Sequence, residues 1–306
     1  MPSVAILLCT FNGAVFLPAQ LASYTDQVLT NWRIYASDDG STDDTRAILS
    51  EFQQRLGSSR MEMRDGPCGG YVANFLSLAC DPSISADYYA FSDQDDIWEP
   101  QKLSRAINWL QSASSQVPAV YCSRTRLIDE NGREYGFSPL FRRKPDFKNA
   151  LVQSIAGGNT MVFNRAAKDL LMAGGATARV PSHDWWLYLL VTAYGGRVFY
   201  DPIPSVRYRV HPKNAIGSND GWRRRIHRLR MIVGGRFQYW NDLNIAALEP
   251  LRPQMSPESR RSFELFCDAR KRRFFGRLIA ILQAGIYRQT KLGNFGLVLA
   301  VCAKRL

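Results

Sequence analysis

The chain has 306 residues, 46% of them hydrophobic and 22% charged, which suits one sizeable α/β domain with an appendage and excludes a disordered chain. The formal net charge of +12 is unevenly held: residues 1–221 carry 21 Lys/Arg against 22 Asp/Glu, and residues 222–306 carry 18 against 5. That asymmetry predicts an anionic partner for the last part, a membrane or a nucleic acid, with a solvated helical face as the plainer reading.

In chain order, Val4–Cys9 is a continuous apolar run, the pattern of a strand buried on both faces. Leu17, Leu21, Tyr24 and Val28 recur at helical spacing and predict one apolar helix face. Arg33–Ser37 reads as a second strand. Ser41-Thr-Asp-Asp44 then supplies a hydroxyl N-cap and acids for the first turn of a helix buried through Ile48, Leu49, Phe52 and Leu56. Val72–Leu78 predicts a third helix, Asp87–Ser92 a strand, Trp98-Glu-Pro-Gln-Lys102 a helix start and Ala119–Cys122 a further strand. Residues 123–221 are less periodic, and 222–306 read as basic amphipathic helices.

This alternation predicts a doubly wound, mostly parallel sheet, in which ligands bind beyond the carboxyl ends of the strands. Three polar clusters fall at such ends: Thr10-Phe-Asn-Gly13, Asp38-Asp-Gly-Ser-Thr-Asp43 and Asp93-Gln-Asp-Asp96. Together they can line one crevice. The alternating acids of the third cluster are hard oxygen donors suited to Mg²⁺ or Mn²⁺. A carboxylate at a strand end, as in the second, can accept the imide N–H of uracil or thymine. The plainer readings are an acidic loop opening a helix and a turn before an N-capped helix.

Taken in order, the three clusters resemble the motifs of glycosyltransferase family 2, which has the GT-A fold, over about the first 215 residues. The resemblance implies a GT-A domain over 1–221, with a Rossmann-like, mostly parallel central sheet, followed by a basic helical extension over 222–306. It implies that Thr10, Phe11, Asn12 and Asp39 line the nucleoside pocket and that Gly69 to Asn74 close over it. Asp93 and Gln94 would lie on the nucleotide-sugar side and Asp95 on the metal, with Asp96 left open as a ligand. His183-Asp-Trp-Trp186 resembles the family segment carrying the catalytic base, which is Asp184 here, although His183 departs from the usual Glu-Asp form. Trp185 and Trp186 would serve either as a sugar platform or as core. Tyr208-Arg-Val-His-Pro-Lys-Asn214 resembles a segment of polysaccharide-assembling rhamnosyltransferases. In it His211 would ligate the metal or hydrogen-bond the diphosphate, and Arg209 would assist. Gly157-Gly158-Asn159-Thr160 resembles the acceptor-side loop, where glycine lets backbone approach the ligand.

The reaction so implied is an inverting transfer from a dTDP- or UDP-linked sugar, L-rhamnose by the nearer resemblance, to a hydroxyl of a glycan or lipid-linked glycan. Two stretches, Trp222–Arg230 and Arg270–Arg277, interleave cations with apolar residues, and Phe274, Phe275, Leu278 and Leu282 are expected along one helix face resting on an anionic bilayer. The six cysteines form no CxxC pair, no leader is seen before the first strand, and the run Phe295–Ala303 is too short for a span of roughly 20 residues. The expectation is a cytoplasmic protein held peripherally at the membrane. The competing readings are a sugar nucleotidyltransferase, whose Gly-rich basic phosphate loop is not found after the first strand, and a nucleic-acid-binding protein, whose aromatic-basic RNA motifs are not found.

Overall fold

The computed structural model describes residues 1–212 and 235–306. A nine-stranded sheet organises the first part, in the order β3-β2-β1-β4-β8-β6-β9-β5, with β7 (Glu134–Phe137) paired to β6. The strands are β1 (Val4–Thr10), β2 (Trp32–Asp38), β3 (Met61–Asp65), β4 (Tyr88–Ser92), β5 (Ile97–Trp98), β6 (Ala119–Ile128), β8 (Val162–Asn164) and β9 (Arg197–Arg209). The β1–β4 half is parallel throughout, as expected.

The other half is mixed. β8 runs antiparallel to both β4 and β6, and β9 is parallel to β6. The inversion has a functional consequence. Because β8 opposes β4, its N-terminal end lies where β4 finishes, so the Gly158–Thr160 turn just before it arrives at the carboxyl ends of the parallel strands.

The period-two pattern of β1 sorts the core into two layers. Val4, Ile6 and Leu8 face α1 (Leu17–Thr25), α2 (Thr45–Leu56) and α4 (Lys102–Leu110). Ala5, Leu7 and Cys9 face α3 (Tyr71–Ala79), α6 (Arg165–Gly174) and α7 (His183–Ala193). A short helix, α5 (Phe147–Ala150), packs against α7. Each fully buried Leu or Phe here contributes about 1.5–3 kcal/mol.

The C-terminal part is helical: α8 (Arg236–Leu248), α9 (Pro257–Lys271), α10 (Phe274–Gln283) and α11 (Lys291–Cys302). Phe237, Leu248, Phe263, Phe266, Ile281 and Val301 join the same cluster as α3 and α7. The 221/222 boundary and the Trp222–Arg230 stretch lie outside the described residues.

Three local expectations need correction. Val28 lies beyond the end of α1 and is 64% exposed, because the helix stops at Thr25. Ser41 caps no helix: α2 starts at Thr45, and the Ser41 hydroxyl donates instead to Asp38 Oδ1 at 2.6 Å. The segment from Trp98 opens as the end of β5, and α4 begins only at Lys102.

Candidate active site

β1 sits between β2 and β4, the point at which successive strands change side and where sheets of this kind bind their ligands. In the Asp38-Asp39 pair the two acids do different work. Asp38 is 2% exposed; it accepts from Thr10 Oγ1, Ser41 Oγ and Ser41 N, and these bonds hold its carboxyl below the usual range against the opposing effect of burial. Thr10 is therefore spent on Asp38. Asp39 accepts from Gly70 N at 2.8 Å through Oδ2, while its Oδ1 is buried and has no hydrogen-bond partner among the described residues. A buried, unmatched carboxylate oxygen is costly unless a ligand donor completes it.

The β1 end is fixed by side chains from two neighbours. Phe11 N donates to Gln94 Oε1 and Gln94 Nε2 donates back to Phe11 O, so Gln94 ties the β4 exit to the β1 exit and leaves the Phe11 ring 56% exposed. Asn12 takes the left-handed conformation (φ 47°), and its Oδ1 accepts from Thr42 N. Asn74 is buried and locks α3 to β2: its Nδ2 donates to Ser37 O, and its Oδ1 accepts from Ser37 Oγ. Gly69 precedes the α3 N-terminus, where Gly70 reaches Asp39.

Ligand oxygens of Asp93, Asp95 and Asp96 all lie within 4.8 Å of one another, a hard-donor cluster that fits a divalent cation. Burial, then the charges of Asp96 and Asp95, push Asp93 well above the carboxylate range, and burial with Asp95 pushes Asp96 up to about 7. Asp95 Oδ2 lies 2.9 Å from His211 Nε2, and the His211 ring packs 5.0 Å from Phe16. Arg209 is buried as a brace: its N donates to Asp96 Oδ1, its Nε to Asp95 O, and its Nη1 to the carbonyls of Asp129 and Glu130.

One short turn joins the two halves of the site. Gly158 N donates to Asp184 Oδ2 at 3.0 Å, and the next residue, Asn159, donates from Nδ2 to Asp96 Oδ2 at 2.5 Å. Thr160 is buried and closes the turn by donating to Gly157 O. Asp184, in the first turn of α7, also accepts from Ser182 Oγ through Oδ1. Charges from the separate clusters meet. Burial and then Asp93 and Asp39 raise the Cys9 thiol, and burial and then Asp184 and Asp93 push Tyr71 up to about 12. Asp39, the Asp93–Asp96 cluster and Asp184 therefore lie near one another beyond the carboxyl ends of the parallel strands.

The two tryptophans do not form a sugar platform. Trp186 is fully buried, and Trp185 is 6% exposed with its Nε1 donating to Ala150 O. His183 is also buried, stacked 3.9 Å from Phe75 and edge-on to Phe91, and burial holds its imidazole down to about 4. A Cβ on Gly158 would lie 2.3 Å from His183 Nε2. Gly158→Ala should therefore cost about 1–3 kcal/mol by overpacking and move the N–H that holds Asp184. Urea unfolding and transfer assays check this, and unchanged values for both would contradict it.

Sequence reasoning missed two contributors. Lys102 is fully buried; its Nζ donates to Asn159 O, and burial lowers it to about 7 against the pull of Asp96 and Asp93. The available signal was a cation in the first turn of a helix, where the dipole disfavours it. Gly66 lets Asp39 and Asn74 approach, since a Cβ there would meet Asp39 Oδ1 at 2.8 Å and Asn74 Oδ1 at 2.9 Å.

Residues 5–171, more than half of the chain, match the family described as Glycosyl transferase family 2. The chain belongs to glycosyltransferase family 2. It is similar to a dTDP-rhamnosyl transferase, RfbG of Shigella flexneri, at 30% identity over 74% of this chain and 78% of the relative. Among solved structures, residues 1–349 of S. aureus TarS in complex with UDP-GlcNAc align with a TM-score of 0.55 at 14% identity, covering 92% of this chain and 89% of that one. A mannosyltransferase, PcManGT of Pyrobaculum calidifontis in complex with GDP-Man and Mn²⁺, aligns at 0.53 and 15%, covering 99% of this chain and 86% of that one. These two likenesses establish the GT-A-like fold of this glycosyltransferase, and the helical extension over the described C-terminal residues completes it.

Proposed function

We propose that this glycosyltransferase moves L-rhamnose from dTDP-rhamnose, with inversion, onto a hydroxyl of a growing lipid-linked cell-surface glycan such as an O-antigen. The observation that carries the reading is the Gly158–Asn159 turn, whose successive residues hold the would-be base and the acidic cluster. In this reading Asp39 Oδ1 accepts the pyrimidine imide N–H, Phe11 and Asn12 border the nucleoside, and Gly69–Asn74 shape its far wall. Asp95 and His211 would hold Mg²⁺ or Mn²⁺, with Asp93 beside them toward the nucleotide sugar, and the ion would supply positive charge to the departing diphosphate.

The acceptor oxygen attacks the anomeric carbon opposite the diphosphate. Asp184 takes the hydroxyl proton, the new C–O bond forms, and the old C–O pair leaves on the diphosphate, so the configuration inverts. General-base help of this kind contributes about 10²–10⁴-fold. Gly158 N–H and Ser182 Oγ aim the carboxylate. Arg209 and Gln94 keep the strand ends in register from behind.

The imide is common to uracil and thymine, so UDP-hexoses are the competing donors. The relative's dTDP-rhamnosyl activity favours rhamnose. The test offers dTDP-L-rhamnose and UDP-glucose in parallel with a diphospholipid-linked sugar and Mn²⁺, and reads the product anomer by NMR. Transfer of rhamnose with inverted configuration supports the reading; transfer of glucose alone, or retention, contradicts it.

We also place the protein on the cytoplasmic face of a membrane, with 1–221 as the transferase unit and the basic 222–306 unit facing anionic lipid. Among the described residues no helix is long and apolar enough to cross a membrane.

A pH dependence follows from the acids. With its pKa raised to about 7, Asp96 contributes stability that is intact below the ordinary carboxylate value and lost as pH rises through about 7. A bound cation opposes that loss, because it displaces protons held below that pH. Stabilisation of the protein by Mn²⁺ should therefore grow between about pH 5 and 7.5. Equal Tm increments across that range would contradict the assignment of the cluster to a cation.

A further inference from the structure

The last two helices leave an apolar face open. On α10, Phe275, Ile279 and Leu282 are 77%, 54% and 69% exposed at positions i, i+4 and i+7, while Arg277, Ala280 and Ile281 face inward. On α11, Leu292, Phe295 and Leu299 repeat the pattern at i, i+3 and i+7, while Leu297, Ala300 and Val301 are buried. Leu278, expected from sequence on the outer stripe, packs partly against the core instead. Arg277 joins the two helices: its Nη1 donates to Val301 O and its Nη2 to Arg272 O. The two stripes are thus carried on helices tied to each other and to the core.

Charge names the occupant. Residues 269–306 contain nine Lys/Arg and no Asp or Glu. Arg272 and Arg273 stand exposed beside the α10 stripe, and Lys291 and Lys304 stand at the two ends of α11. Exposed aromatic and aliphatic side chains on a stretch that carries cations and no acid match an anionic bilayer interface, where apolar groups enter the acyl boundary and cations meet the headgroups. A water-facing helix pair would not hold eight large apolar side chains, Phe274 and Val298 included, at 38% exposure or more.

We propose that the α10–α11 pair is the membrane-docking face of this glycosyltransferase, seated on anionic lipid through Phe275, Ile279, Leu282, Leu292, Phe295 and Leu299. The inference rests on the membrane reading above and narrows it to one surface. It makes the face a lipid anchor, distinct from the donor site.

The test is sedimentation of the full chain with vesicles of phosphatidylglycerol in phosphatidylcholine, against phosphatidylcholine alone, at low and high salt. The wild type should bind the anionic vesicles and leave them at high salt. The double variant Phe275→Ser with Phe295→Ser should partition roughly tenfold or more weakly, since each change removes an aromatic ring from the acyl boundary. Arg272→Gln with Arg273→Gln should weaken binding and flatten the salt dependence. Both variants should keep the wild-type Tm and its rise with nucleotide, which separates docking from folding.

Failure of the wild type to bind anionic vesicles would overturn the membrane reading itself. Wild-type binding with an unaffected serine variant would overturn only this face. A concentration-dependent dimer in solution that the serine variant dissolves, with no vesicle binding, would assign the face to a second copy of the chain and overturn the proposal.

Discussion

Asp184→Asn should reduce transfer by roughly 10²–10⁴-fold while leaving donor affinity within about twofold, because a general base acts on the acceptor proton and not on nucleotide binding. The asparagine is isosteric; its one carbonyl oxygen, in the place of Oδ2, can still accept from Gly158 N, while its Nδ2, in the place of Oδ1, can donate to the Ser182 hydroxyl that formerly donated, so the turn and the α7 N-terminus keep their geometry. What disappears is the proton acceptor. The split between binding and turnover is the informative readout, and donor affinity by calorimetry beside single-turnover transfer measures it. Full activity would remove Asp184 as the base. Loss of donor binding in step with activity would give it a structural role only.

Asp95→Ala should weaken cation binding at least about a hundredfold, since even changes behind a ligand cost 10–100-fold. It should also abolish the cation-dependent part of donor binding. Asp95 is the member of the cluster that meets His211, whereas the Asp96 oxygens are taken by Asn159 and by Arg209 N. Asp95→Asn keeps a partner for His211 and serves as the shape control; it should lose cation affinity nearly as far. Mn²⁺ titration of intrinsic fluorescence checks both. Undiminished affinity in either variant would move the cation site elsewhere.

The parallel half of the fold was legible because its strands are buried on both faces and read as unbroken apolar runs, as in Val4–Thr10. The mixed half was not, since β8 is only three residues long and β9 carries Asp201, Pro202 and Pro204 in its middle. The acids were legible as clusters, yet sequence could not divide the work between Asp38 and Asp39. That division depends on Ser41 and Thr10 turning toward the first and Gly70 toward the second. The Gly158-Asn159-Thr160 segment was marked for the acceptor side; its hydrogen bonds also join Asp184 to Asp96, a link between residues 26 and 63 positions away that no local pattern encodes. Trp185 and Trp186 look the same in sequence whether they pave a site or fill a core, and only burial decides.

The central claim is that Asp39 and the Asp93–Asp96 cluster together grip one pyrimidine nucleoside diphosphate, and a thermal-shift panel of dTDP, UDP, ADP and GDP tests it most directly. With Mn²⁺ present, dTDP and UDP should raise the Tm by several degrees, ADP and GDP should do little, and chelation should remove most of the gain. Equal shifts from purines and pyrimidines, or pyrimidine shifts indifferent to the cation, would contradict it.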